Sequence, residues 1–169
     1  LDTNDSATLR YVTGRLKSTG QWDDLGLTGD IATGSGVTTI CVASDHSVYV
    51  GGVFTAWNGD SPAGMDYIAR YTPSTGSWSV VGSDGDLTGN VYSIKEGPDK
   101  KIYVSGSFQN AAGITAADSL AVYDPTTNTW AALGATATGG SVIYEMAWDS
   151  AGNLYVVGAF TNLAGVPDA

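Results

Sequence analysis

Ser47-Val48-Tyr49-Val50-Gly51-Gly52-Val53-Phe54 recurs as Lys101-Ile102-Tyr103-Val104-Ser105-Gly106-Ser107-Phe108, and again as Asn153-Leu154-Tyr155-Val156-Val157-Gly158-Ala159-Phe160. A second series lies downstream of the first two copies: Ser74-Thr75-Gly76-Ser77-Trp78 and Thr126-Thr127-Asn128-Thr129-Trp130. Its remaining copy, Ser18-Thr19-Gly20-Gln21-Trp22, stands near the N-terminus with no first half before it. Equivalent residues are 52 to 56 positions apart. Self-similarity at that period marks an array of one supersecondary unit. The array is cut mid-unit at both ends.

Each unit reads as four strands. The first is Val37–Val42, with equivalents at 91–96 and 143–148. It begins 12 positions before the Tyr of the second strand in every copy, so one hairpin geometry is reused. The linking turns, Ser44-Asp45-His46-Ser47, Gly97-Pro98-Asp99-Lys100 and Ser150-Ala151-Gly152-Asn153, carry the residues that tight turns require. Gly52, Gly106 and Gly158 end the second strand, where a recurrent Gly signals a bulge or a close backbone approach. Tyr67–Tyr71 and Ser119–Tyr123 form the third strand, with a degenerate copy at Tyr11–Arg15. The fourth strand carries the Trp and ends at Gly26, Gly82 or Gly134.

Four antiparallel strands at this period describe a blade of a β-propeller. Such a blade buries both faces only by stacking on neighbours. The expected fold is therefore all-β, with Trp22, Trp78 and Trp130 packed between blades. The parts are an outer half-blade at 1–31, blades at 37–86 and 91–134, and an inner half-blade at 141–169. Three blades' worth is fewer than the four to eight of a ring. The expected partner is a second copy, giving a six-bladed homodimer, or the remaining blades of a longer propeller. The unpaired ends of a cut array seek such a partner.

These segments resemble the kelch repeat. A Gly pair closes the second strand (Gly51-Gly52), and a Tyr and a Trp separated by six residues follow (Tyr71 and Trp78). Tyr123-Asp124-Pro125-Thr126-Thr127-Asn128-Thr129-Trp130 reads as a near-consensus kelch segment. Ser105 and Val157 replace the first Gly of the pair elsewhere, and Arg15 stands where the Tyr belongs. The Tyr-Val-Gly-Gly-x-Phe-Thr pattern is also similar to bacterial and viral kelch-like repeats. The resemblance implies a propeller; such propellers host protein binding, glycan binding and some enzymes, so it implies little about function.

Composition narrows the function. Charged residues are only 14% and net charge is −10, which repels nucleic acid and anionic membrane surfaces. No apolar run is long enough to insert in a membrane. Few Lys with abundant Gly, Thr and Asn point to an extracellular, cell-surface or virion-exposed protein. Leu1 opens the chain where Met would open a primary translation product, and no signal peptide is visible within it, which is the expectation for a mature product, a proteolytic piece or a cloned fragment. Cys41, the only cysteine, reads as a small core residue, and His46, the only histidine, as a solvated turn residue.

One His and one Cys do not recreate the metal set of kelch-like copper oxidases. No nucleophile elbow, phosphate loop or zinc-protease motif is present. The expectation is a non-enzymatic chain without a cofactor. Asp84, Asp86 and Thr88 start like a calcium loop, but the twelfth position is Lys95 rather than the closing Glu.

The loops between second and third strands vary while the strands repeat, so they are where a site is expected. Trp57, which has no aromatic counterpart, together with Asn58, Asp60, Asn110 and Asn162, would stack on and hydrogen-bond a sugar or protein ligand. The expected function is a non-catalytic propeller module for protein or glycan recognition or assembly. The alternative is a fragment of a kelch-like oxidase or hydrolase whose catalytic residues lie elsewhere.

Overall fold

A computed structural model of the chain describes residues 12–15, 17, 20–27, 36–55, 64–134, 141–160, 162–163 and 166–167. Those residues form strands β1 (Gly14–Arg15), β2 (Trp22–Asp23), β3 (Val37–Val42), β4 (Val48–Gly52), β5 (Ile68–Thr72), β6 (Ser77–Ser79) and β7 (Val91–Glu96). They continue with β8 (Ile102–Gly106), β9 (Leu120–Asp124), β10 (Thr129–Ala132), β11 (Val142–Trp148), β12 (Leu154–Ala159), β13 (Asn162–Leu163) and β14 (Val166–Pro167). The fold is all-β. Two four-stranded antiparallel sheets run in sequence order, β3-β4-β5-β6 and β7-β8-β9-β10. Three two-stranded pairs, β1-β2, β11-β12 and β13-β14, complete the described residues.

The repeat is as strict in backbone as in sequence. The β3–β4, β7–β8 and β11–β12 turns place His46 (φ 70°), Lys100 (φ 65°) and Gly152 (φ 85°) at one equivalent left-handed position. The carboxylates of Asp45, Asp99 and Asp149 each accept from the backbone N–H two residues on, at 2.8, 3.2 and 2.9 Å. These Asx contacts offset part of the cost of that conformation at His46 and Lys100. The first strand bulges at the same point each time, with the register slipping at Val37/Thr39, Val91/Ser93 and Ile143/Glu145. Gly52, Gly106 and Gly158 face the bulge. A Cβ at any of them would run into the carbonyl of Gly36, Asn90 or Val142 respectively. The recurrent Gly thus marks both a bulge and a close backbone approach.

Successive units pack face to face. Val12 and Leu27 join Phe54, Met65, Ala69 and Trp78 in one core cluster. Tyr49 and Ile68 of the first sheet meet Ile94, Phe108 and Trp130 of the second. Tyr103, Leu120 and Val122 meet Ile143 and Met146 of the β11-β12 pair. Each such side chain contributes about 1.5–3 kcal/mol on burial. The first strands lie beside one another: Thr38 Oγ1 donates to Val91 O at 2.6 Å, and Ser93 Oγ to a Glu145 carboxylate oxygen at 2.5 Å.

One feature differs from the sequence reading. Trp22 is 60% exposed, while Trp78 and Trp130 are each 7%. The reason is that this Trp packs on the end of the preceding unit. Trp78 donates its indole N–H to Leu25 O at 2.9 Å, and Trp130 lies against Gly82. No described unit precedes Trp22. Among the described residues, the β1-β2 and β11-β12 pairs belong to separate sheets, and the N-terminal pair has a definite neighbour. It stacks on the first four-stranded sheet, and β12 pairs β11 alone among the described residues.

Candidate functional site

The loops expected to carry a site are partly outside the described residues, and Trp57, Asn58 and Asp60 lie there. Asn162 is in β13, opposite Pro167. Asn110 is exposed and left-handed (φ 49°), at the start of a single 3-10 turn, Ala111–Gly113. Its backbone N–H donates to the Asp118 carboxylate at 2.7 Å, and Ala112 N–H donates to Asp86 O at 2.7 Å. The loop is therefore pinned to the Asp84–Thr88 stretch.

That stretch spends its own oxygens locally. Asp86 Oδ2 accepts from Ser83 N–H at 2.6 Å, and Thr88 Oγ1 donates to Gln109 O at 3.1 Å. Among the described residues, no group of three or more His, Cys, Asp or Glu is arranged to hold a metal ion. His46 is exposed in its turn, and Cys41 is half-buried, its thiol pushed above the ordinary value first by burial.

At the other end of the strands, a cleft of about 300 Å³ opens between the first two sheets. Asp45, Arg70, Glu96, Lys100 and Thr126 line it, above the ring of Tyr49. Arg70 is charged where the equivalent place is Gly14 in the preceding unit and the buried Val122 in the next. Its guanidinium bonds Asp45 at 3.1 Å and Ser47 Oγ at 2.7 and 3.0 Å, and stands 5.7 Å from the Tyr49 ring centroid. Ser44 ties the two units by bonding Glu96 through its N–H at 3.0 Å and its hydroxyl at 2.7 Å.

The local charges follow from these contacts. Partial burial works to raise the Asp45 pKa, but hydrogen bonds from Ser47 and the Arg70 charge outweigh it, so the carboxyl is held below its usual value. Burial pushes the Tyr49 phenol far up, against a smaller opposing effect of Arg70. An anchored guanidinium, an ammonium and two carboxylates around one cleft can hydrogen-bond a ligand rich in both donors and acceptors. Sequence reading missed this cleft. The available signal was Arg70 itself, a charge at a strand position where the next copy carries Val.

Tyr49 carries a further consequence of Arg70. Tyr103 donates to Asp99 at 3.3 Å and Tyr155 to Asp149 at 3.2 Å. In the first unit Asp45 is held by Arg70, and the buried Tyr49 hydroxyl has no partner among the described residues. Tyr49→Phe is therefore expected to leave stability unchanged or raise it by about 1 kcal/mol, because the deleted group was desolvated without a compensating bond. Chemical denaturation of the variant beside Tyr103→Phe, which is expected to lose stability, checks this.

No protein-family model matches the chain, and no curated protein matches it. Among solved structures, the extracellular domain of BT4673 from B. thetaiotaomicron superposes with a TM-score of 0.59 at 14% identity. That match covers 90% of this chain and 18% of that one, and at this identity it shows a shared fold alone. A fungal alcohol oxidase of the AA5 family, solved in complex with copper, matches with a TM-score of 0.39 at 17% identity. It covers 75% of this chain and 28% of the oxidase. The chain thus spans less than a third of either neighbour. Among the described residues, no helix is long and apolar enough to cross a membrane.

Proposed function

We propose that the chain is a non-catalytic recognition module, built from kelch-like blades of a β-propeller, that binds a glycan or protein ligand outside the cell. Two four-stranded antiparallel sheets at the sequence period, stacked first strand beside first strand, support the propeller reading. The fold shared with an extracellular domain supports the location.

The observation that carries the recognition reading is Arg70. It stands in a cleft between two units, braced by Asp45 and Ser47 over the Tyr49 ring, at a position where the other copies carry the uncharged Gly14 and Val122. Rigid frames with an off-repeat polar residue between units are where a repeat protein acquires specificity. The variable loops at the other end, with Trp57, Asn58, Asp60, Asn110 and Asn162, are the second place for contact with the same ligand class.

A panel of immobilised oligosaccharides, followed by calorimetry on any that bind, tests this. Arg70→Val restores the residue of the neighbouring unit and is expected to keep the fold while weakening binding at least about tenfold, as loss of a charged hydrogen bond does. Binding that survives Arg70→Val but not Trp57→Ala moves the site to the loops. Absence of binding to every oligosaccharide removes the glycan reading.

A further inference from the structure

We propose that the Arg70 cleft binds an acidic saccharide, with Lys100 and Arg70 meeting its carboxylate or sulfate group. This rests on the recognition reading above and names the chemistry of the ligand.

Each charged group of the cleft can be traced to its partners. Asp45 accepts the Ser47 N–H at 2.8 Å on one carboxylate oxygen, and the Ser47 hydroxyl at 3.0 Å and Arg70 Nη2 at 3.1 Å on the other. Glu96 accepts the Ser44 hydroxyl at 2.7 Å on one oxygen and the Ser44 N–H at 3.0 Å on the other. Both carboxylates are thus hydrogen-bonded on both oxygens within the protein. The cations are less fully engaged. Arg70 is held through Nε and Nη2, and its Nη1 has no partner among the described residues. Lys100 has no ion pair among the described residues, although Lys95 bonds Glu145 at 3.2 Å and Lys101 bonds Asp124 at 3.5 Å. The cleft therefore holds cationic donors without acceptors, and anionic oxygens are the groups that satisfy them best. This decides for an acidic ligand over a basic one.

The placing of the two cations has a cost inside the protein. In the next unit Asp99 accepts the Tyr103 hydroxyl at 3.3 Å, whereas Asp45 is drawn to Arg70 and leaves the Tyr49 hydroxyl buried without a bond. An orphaned buried hydroxyl calls for an explanation, and fixing the guanidinium in the cleft supplies one. Lys100 sits at φ 65°, a left-handed position that Gly152 fills in the following unit. The turn itself is best served by Gly, so turn geometry does not account for the ammonium.

Size and lining favour a sugar over a protein surface or a bare anion. The cleft holds about 300 Å³, the lower end of small-ligand pockets. Tyr49, Ile102 and Pro125 give it apolar wall, against which the C–H face of a sugar ring packs. Asp45 and Glu96 keep lone pairs for ring hydroxyls, while their charges oppose an inorganic anion that brings no hydroxyls. The net charge of −10 acts at longer range and is screened over roughly 8 Å at physiological salt, so it disfavours a long polyanion more than a short acidic chain.

Calorimetry on the full chain with matched sugars tests the proposal. The pairs are oligogalacturonate against its methyl ester, and sulfated against unsulfated galacto-oligosaccharide. Each pair keeps the rings and differs in charge. At least one acid is expected to bind about tenfold or more tighter than its neutral counterpart, and which acid does so tells carboxylate from sulfate. Lys100→Gly suits the left-handed turn and should melt no lower than wild type. It is expected to remove most of the preference for the acid.

Equal affinity for acid and neutral sugar, or a preference that Lys100→Gly leaves intact, overturns the acidic-saccharide proposal. The recognition reading then stands on whichever sugar still binds. Inorganic sulfate that binds as tightly as the acid also overturns it, because the site then reads an anion and not a sugar. No binding by any sugar, charged or neutral, removes this proposal and the glycan reading together.

Discussion

Gly106→Ala is expected to cost about 3 kcal/mol or more, enough to unfold a large fraction of a small domain whose whole stability is on the order of 5–15 kcal/mol. The reason is steric and involves backbone on both sides. A Cβ at Gly106 would run into the carbonyl oxygen and carbon of Asn90. That carbonyl accepts the Ser107 N–H at 2.9 Å, while Gly106 N–H donates to Ser119 O at 3.0 Å. Making room therefore breaks the bulge contact or the β8–β9 ladder, and no side-chain rotamer relieves it. Gly52→Ala is expected to match it, since its Cβ would meet Gly36 and the Val53 N–H bonds Gly36 O in the same way. Gly36→Ala is the control: nothing lies within 4 Å of its Cβ, so its change should stay within about 0.5 kcal/mol. Equal midpoints for Gly36→Ala and Gly106→Ala in a urea titration would refute the bulge account.

Phe108→Ala is expected to cost about 3–5 kcal/mol, through lost burial and the cavity left behind. Phe108 is fully buried between the first two sheets, among Leu87, Ala111 and Ala117. These neighbours are held by the pinned loop and cannot collapse inward freely. Phe54→Ala should cost a similar amount, because Phe54 is equally buried in the preceding cluster. Phe160, the third copy, is only half-buried, and Phe160→Ala should cost clearly less. Denaturant midpoints with unchanged slopes would measure the series. Equal costs at all three positions would mean that sequence repeat alone, and not the covering unit, sets the burial.

The strands, their antiparallel order and the turns were readable before any coordinates. The period fixed the unit, the Tyr–Gly–Phe pattern fixed the second strand, and the Asp, Asn and Gly residues fixed where the chain reverses. The bulge was legible from Gly52, Gly106 and Gly158, because a recurrent Gly inside a strand has few other physical reasons. The candidate site was much less legible. Variable loops drew attention to Asn110 and its counterparts, whereas the formed cleft sits at the other end of the strands. Arg70 escaped notice because its meaning depends on Asp45, Ser47 and Tyr49, which lie 21 to 25 residues earlier in the chain.

Trp22 marks the boundary between the two kinds of knowledge. The sequence by itself determined that Trp22, Trp78 and Trp130 are the same residue of the same unit, and so determined the local conformation around each. Only the tertiary structure decided that two of them are buried and one is open to solvent. Local conformation depends on near neighbours in the chain, which the repeat copies faithfully. Burial depends on whether another unit stands against the face, and that is a property of the array. The same division separates Ile40 from Ile94 and Tyr155 from Tyr103.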